Sequence, residues 1–566
     1  MKTKAAEAIA ALAESEATLL SGVTVRSRER RAPASPAALV SGEPIYSEEE
    51  ADDVQGNIIP GFNKDHQELL FLRFDDDLSG TRAWLSWLAP KLASMKEVLA
   101  FRTEFRALRL QLGVREPDMS ATWTCVAFSH DGLRALVGKD EASAFGDQSF
   151  RQGLSTRAGY LGDPTDPDSE GHPSRWVVGG PHNEAHALVI VAADHEDDLD
   201  GAVREVLAEA DGHGLTCIFR QRGANLPGPL AGHEHFGFKD GVSQPAVRGR
   251  LAETGEFLSP RYLAQDDPHA DLFAKPGQQL VWPGQFLLGE PREDPQDPLQ
   301  PADAAATFPA WARSGSYLVC RRLRQDVVAF WDFAASVAER LDLPPVNVAT
   351  SMVGRWPSGA PLLRTPTGDD LKLAGDEFAN NHFLFDDETR PSVLEDIEGY
   401  NGDEHPRAAG DVFGRICPHA AHIRKVNPRD SATDFGAPAD TLMRLMLRRG
   451  IPFGAPIAGE ADPAPELVEA ERGLVFIAFM SSIEDQFEFV SRRWCNNEVQ
   501  PNVGGPDPII GQRDRSGSRT RVVQLPAANG ELSTVEVAHD FVVPTGGGYF
   551  FAPPISAVSG VLAERR

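Results

Sequence analysis

Apolar residues in this chain fall into short runs of two different periods. His66-Gln67-Glu68-Leu69-Leu70-Phe71-Leu72-Arg73-Phe74 has the length and composition of a strand. Residues 80–95 place Trp84, Trp87, Leu88 and Leu92 at helical spacing, which predicts a helix with one apolar face. Strands are predicted at 123–128 and 187–192, an acidic amphipathic helix at 197–209, and a strand at 215–219. The second half repeats this grammar. A strand at 315–323 leads into a helix at 325–341, a strand at 474–480 into a helix at about 484–495, and residues 546–551 form a last strand. The order predicts two copies of one α+β unit in a single chain.

Breaker residues divide these units. Residues 246–312 are rich in Pro, Gly, Asp and Gln, with Pro283, Pro291, Pro295, Pro298 and Pro301, so neither helix nor strand is expected there. Residues 160–183 and 500–520 read as long loops of the kind that border sites. Residues 1–50 combine an Ala-rich stretch, a Pro/Ser/Arg stretch and Glu48-Glu49-Glu50, and are expected to be a loosely packed extension. The predicted organisation is this extension, a first unit over 51–245, a connecting loop over 246–312 and a second unit over 313–556.

Composition narrows the function classes. The chain has 566 residues, 83 acids against 55 bases and a net charge of −28, which argues against nucleic acid and anionic membrane surfaces as partners. Cys125, Cys217, Cys320, Cys417 and Cys495 are widely spaced and odd in number, the pattern of reduced, buried thiols. No run approaches the roughly 18 apolar residues of a membrane span. Glu7, Glu14 and Glu16 interrupt the Ala-rich start, and Arg30-Arg31 is followed by a short stretch broken by two prolines, so the cytoplasm is expected rather than export.

Three separated segments carry chemistry. Glu234-His235-Phe236-Gly237-Phe238-Lys239-Asp240-Gly241-Val242-Ser243-Gln244-Pro245 puts a carboxylate on a glycine-flanked turn, where a flat cofactor can approach the backbone. Cys417-Pro418-His419-Ala420-Ala421-His422-Ile423-Arg424-Lys425 offers two imidazoles three residues apart, either of which can ligate iron. Arg448-Arg449-Gly450-Ile451-Pro452-Phe453-Gly454 offers a guanidinium that stays charged at any working pH. His233 and His235 have no third ligand in sight, so no metal is expected there. Gly546-Gly547-Gly548 lacks the context of a phosphate loop and reads as a tight turn.

The three segments, in this order, resemble the dye-decolorizing peroxidases, and the length is similar to that of the longer, loop-rich members. Gly-Phe-Lys-Asp-Gly matches the family's Gly-x-x-Asp-Gly signature, and Gly-Gly-Gly-Tyr-Phe-Phe-Ala-Pro resembles its last strand. His419 departs from the family, where a bulky apolar residue is expected. The resemblance implies two ferredoxin-like α+β domains with antiparallel sheets, of the dimeric α+β barrel type, and one haem b in the C-terminal half. It implies His422 as the axial iron ligand, Asp240 as the acid–base and Arg448 as the fixed positive charge. Leu474 and Phe476, two apart on a strand, are implied to cover the distal haem face. Asp507 is the candidate partner for Nδ1 of His422, with Glu484 and Asp485 as alternatives. Arg424 and Arg429 are candidates for the haem propionates. Hydrogen peroxide and small aromatic reductants are the implied partners, the oligomeric state being open. A haem-handling protein on the same scaffold is the alternative.

Overall fold

Both faces of the central strands are buried, so each strand feeds two cores. In β1 (His66–Arg73), Leu70 and Leu72 enter one apolar layer while Leu69 and Phe71 enter the other. The same holds for β2 (Thr122–Phe128) and β3 (Ala187–Ala193), while β4 (Thr216–Ala224) lies at the sheet edge and is only partly buried. Helix α1 (Leu78–Leu88) turns Trp84, Leu85 and Leu88 inward, and α2 (Met95–Leu112) follows it. Helix α3 (Glu196–Gly212) covers the sheet with Leu199, Val203, Val206 and Ala210.

The second unit contributes β5 (Ser316–Gln325), helix α4 (Val327–Leu341), the short helix α5 (His422–Val426), β6 (Leu447–Arg448), β7 (Ile451–Phe453), β8 (Gly473–Met480) and β9 (Val542–Ala552). All pairings within these two units are antiparallel, and they join into one nine-stranded sheet in the order β6-β8-β5-β9-β2-β3-β1-β4, with β7 also on β8. Each half places its first and third strands at its centre, the ferredoxin-like arrangement, and the halves meet where Phe551 of β9 pairs with Phe128 of β2. The structure, a computed structural model, describes residues 42–112, 119–263, 270–294, 296–297, 299–303, 307–386, 405–408, 410–433, 438–457 and 465–564. Among these, no helix is long and apolar enough to cross a membrane.

Four expectations change. Residues 80–95 are not one helix: Pro90 falls in a tight turn over Ala89–Lys91, which ends α1 before α2 begins. Residues 484–495 are helical but π-wound, in two runs over Ile483–Glu488 and Val490–Cys495. The 246–312 segment holds strands of two to four residues, among them Ala246–Val247, Phe273–Lys275 and Gln278–Val281 in a small sheet. Strands that short need no apolar run to announce them. Residues 42–50 are packed rather than loose: Ile45–Tyr46 pair with Arg250–Leu251, Tyr46 is 4% exposed, and Ser47 and Glu50 form a reciprocal cap on the helix Glu48–Asp53. The rest of the expected extension, 1–41, lies outside the described residues.

Candidate active site

Strand alternation builds one wall of a large cavity. Arg321 pairs with Phe476 and Leu323 with Leu474 across β5 and β8, so these four share one sheet face, and all four line the cavity. Their alternates Cys320, Val475 and Ile477 face the opposite core. The remaining walls include the turn carrying Asp240, the start of α5 with His422 and strand β6 with Arg448, and the cavity volume is about 870 Å³. That is in the upper range for a cofactor pocket.

His422 opens helix α5 with its ring bordering the cavity. Its Nδ1–H donates to Oδ2 of Asp507 at 2.8 Å. Asp507 is fully buried, and its other oxygen accepts the backbone N–H groups of Ile509 at 2.8 Å and Ile510 at 3.1 Å. The imidazole is thereby fixed in one tautomer, and Nε2 has no hydrogen-bond partner among the described residues. Burial disfavours the imidazolium, but the charge and hydrogen bond of Asp507 outweigh it, and the pKa is raised. Lys425, one turn on, anchors the helix by donating to the carbonyls of Asn497 and Gln500 at 2.7 and 2.6 Å.

His419 is used elsewhere. Its Nδ1 lies 2.8 Å from the Val503 carbonyl and its Nε2 3.1 Å from that of Val412, so neither nitrogen is open to a metal. Glu484 accepts the Gln148 N–H, and the Asp485 carbonyl accepts from Arg444.

Asp240 sits on an exposed turn at the cavity edge, with Oδ1 accepting the Gly241 N–H at 2.6 Å. Arg448 comes from β6, and its guanidinium donates to the Ser243 carbonyl at 2.5 Å. Gln244 binds the Arg448 backbone in both directions, accepting from its N–H at 3.3 Å and donating to its carbonyl at 3.2 Å. The Asp240 loop and the Arg448 strand are therefore held as one piece. Burial lowers the Arg448 pKa and Asp240 raises it, so the two charges are close enough to couple.

Arg449, next along the chain, is half-buried. It donates to the carbonyls of Asn57, Ile58 and Pro60, which ties the first unit to the site. Gly61 makes this possible: it has φ +94°, and a Cβ there would lie 2.2 Å from Nε of Arg449.

Of the two arginines expected to face haem propionates, one borders the cavity. Arg424 is 1% exposed and donates to Asp386, Asp411 and the Cys417 carbonyl, and it does not border the cavity. Arg429 does, and beside it stands Arg355, which the sequence gave no motif to find. Both donate to Oδ1 of Asn381, at 2.6 and 2.9 Å. Burial pushes Arg355 down to about 9 and Arg429 to about 10. Neither forms an ion pair with a carboxylate among the described residues. Two buried cations on a cavity wall fit a ligand that brings its own carboxylates.

Glu234 was the other residue missed. It lines the cavity, and its carboxylate accepts the N–H groups of Phe236 at 2.8 Å and Phe238 at 3.0 Å and the side-chain amide of Gln325. Burial raises its pKa to about 7, with Asp240 adding to the effect. His235 next to it donates to the Phe453 carbonyl at 2.8 Å, and no group of three or more His, Cys, Asp or Glu among the described residues could hold a metal ion.

Residues 53–224 match the DyP dimeric alpha+beta barrel domain. The chain is 31% identical over 529 residues to a dye-decolorizing peroxidase of Mycetinis scorodonius, covering 90% of this chain and 87% of that one. It is 32% identical over 548 residues to a dye-decolorizing peroxidase of Exidia glandulosa, covering 93% and 90%. The solved structure of an ancestral D-type dye decolorizing peroxidase superposes with a TM-score of 0.71 at 30% identity, over 91% of this chain and 99% of that one. With its ferredoxin-like halves, its cavity and these relatives taken together, this chain belongs to the dye-decolorizing peroxidase family.

Proposed function

We propose that the protein is a haem b peroxidase that reduces hydrogen peroxide and oxidises small aromatic donors, phenols and aromatic amines among them, by one-electron steps. The observation that carries this reading is His422. A buried carboxylate holds its Nδ1–H at 2.8 Å, and its Nε2 is left open in a cavity that also receives Asp240 and Arg448. When bound, haem supplies a ferric centre that passes two electrons to peroxide and regains them singly from donors.

The chain's own residues would do the rest. His422 would hold the haem iron through Nε2, and Asp507 would make it a stronger donor by holding its far nitrogen. Leu474 and Phe476 would give the haem an apolar wall to lie against. Arg355 and Arg429 would neutralise the propionates. Asp240 takes a proton from one peroxide oxygen and returns it to the other, which leaves as water. Arg448 is a permanent positive charge beside it, stabilising the negative charge that builds as the O–O bond breaks. Because Gln244 and Ser243 join the two, a single rigid piece sets the distance between acid–base and cation.

The test is an absorption spectrum of haem-supplemented protein before and after one equivalent of hydrogen peroxide. A Soret band that shifts within seconds and recovers on adding a phenol is the expected result. A Soret band indifferent to peroxide would assign haem carriage instead, and no band would remove haem from the account.

A further inference from the structure

Glu234 and Asp240 stand on opposite arms of one small hairpin. The Glu234 N–H donates to the Phe238 carbonyl at 3.0 Å, the Asp240 N–H donates to the Gly232 carbonyl at 3.0 Å, and His233 pairs with Lys239 between them. Phe236 stacks on Phe330 of α4 at 4.3 Å, and its carbonyl accepts from the Trp331 ring N–H at 3.1 Å, so the hairpin is held against the core. Both carboxyl-bearing residues line the large cavity, in different settings. Asp240 is exposed at its edge. The Glu234 carboxyl is turned back into the hairpin, accepts the Phe236 and Phe238 N–H groups, and forms no ion pair among the described residues.

Gln325 of β5 closes the group from the other side. Its Nε2 donates to Oε2 of Glu234, while its Oε1 is buried without a partner. A half-turn of that amide would offer Oε1 to a hydroxyl on Glu234, so the contact serves either protonation state. The other charged groups nearby are engaged elsewhere. Arg472, whose carbonyl accepts the Gln325 N–H at 2.9 Å, donates to the Ala455 and Val468 carbonyls. Asp326 caps α4 and meets His539, His235 is bonded to the Phe453 carbonyl, and Lys239 is exposed. Burial raises the Glu234 pKa and the charge of Asp240 adds to it. Of two neighbouring carboxyls, the more enclosed one keeps its proton longest.

That proton has a use. Reducing one peroxide to two waters consumes two electrons and two protons. Asp240 moves a proton from one peroxide oxygen to the other and supplies none net, so the oxygen left behind still needs two electrons and two protons. Phenols bring a proton with each electron, whereas pure electron donors bring none. We propose that Glu234 is the proton store for these two steps. Its carboxyl gives a proton through Asp240 to the remaining oxygen, becomes a carboxylate held by Phe236, Phe238 and Gln325, and takes a proton back from solvent before the second electron arrives. Glu234 acts through Asp240, positioning the proton rather than touching substrate. This inference rests on the peroxidase reading.

The experiment compares haem-loaded native protein with Glu234→Gln, which keeps the size and has no proton to release. Infrared spectra are first recorded without peroxide as the pH is raised through about 7. The expected result is a protonated-carboxyl C=O band that fades over this range in the native protein and is missing from the variant, while the bands of Glu293 and Asp147 are common to both. No such difference would overturn the proposal. Recovery of the Soret band after one equivalent of peroxide is then timed with hydroxymethylferrocene, a neutral donor that brings an electron and no proton, and with phenol. The variant should recover about 10²-fold more slowly with hydroxymethylferrocene and at the native rate with phenol. Equal slowing with both donors, or none with either, would overturn the proposal. A native Soret band indifferent to peroxide would instead defeat the peroxidase reading, and the infrared comparison still decides whether Glu234 holds the proton.

Discussion

Asp507 holds Nδ1 of His422 at 2.8 Å while its second oxygen ties down the Ile509 and Ile510 backbone, so one buried carboxylate fixes both the imidazole and the loop behind it. Asp507→Asn keeps the size but removes the charge. Weaker haem binding, by about 10–100-fold, and a more positive reduction potential are expected. Haem titration and spectroelectrochemistry measure both, and an unshifted potential at full loading would detach Asp507 from the tuning of His422.

Asp240 and Arg448 should differ in how much their loss costs although hydrogen bonds hold the Asp240 loop to the Arg448 strand. Asp240→Asn with haem retained should slow peroxide reduction by about 10²–10⁴-fold. Arg448→Leu should slow it by about 10²–10³-fold. Gln244→Ala leaves both groups in place but cuts the two bonds between Gln244 and the Arg448 backbone, and is expected to fall between wild type and either variant. Stopped-flow rates of the Soret change with peroxide report this, and full activity in Asp240→Asn would remove Asp240 from the mechanism.

Much of this site could be read in the sequence because its chemistry lies in contiguous motifs. Asp240, His422 and Arg448 each sit in a run whose neighbours serve the backbone: Gly241 caps Asp240, and Gln244 clasps Arg448. Asp507 was found through the need of an imidazole for an acceptor. Arg355 was not, because its partners Gly359, Asn380 and Asn381 are joined to Arg429 only by folding. Arg424 misled because proximity along the chain to His422 says nothing about direction: one residue C-terminal to Ile423 it points into Asp386 and Asp411. Strand and helix order was legible from periodicity. The π-winding of 483–495 and the two-residue pairings of 42–50 were not, since both depend on tertiary contacts.

Arg355 and Arg429 share one acceptor, Oδ1 of Asn381, and face the cavity as buried cations. Replacing either by Leu should cost about 2–3 kcal/mol of haem binding, because an incoming propionate is left unpaired. The haem-free protein should also lose stability, because loss of Arg355 leaves the Gly359 and Asn380 carbonyls unpaired and loss of Arg429 those of Asn381 and Phe383. Comparing haem affinity with the apoprotein melting temperature separates the two effects. A variant that binds haem as tightly as wild type would break the assignment to propionates.

Glu234 gives the site a pH dependence of its own. In the fold its carboxyl is held at about 7 by burial and by Asp240, against an ordinary value of 4.5. Between those two pH values the native state binds a proton that the unfolded chain does not. Stability from this group is therefore fully present below about pH 4.5 and lost as the pH rises through about 7, a change of about 3–4 kcal/mol. Opposing this, the Phe236 and Phe238 N–H groups and the Gln325 amide keep the anion bound once it forms, so the loop that leads to Asp240 stays in place. Glu234→Gln cannot titrate. The melting temperature of wild type minus that of Glu234→Gln should therefore fall from pH 4.5 to pH 8, while contributions from other groups cancel in the difference. A difference that stays flat across that range would show that Glu234 does not change its protonation there.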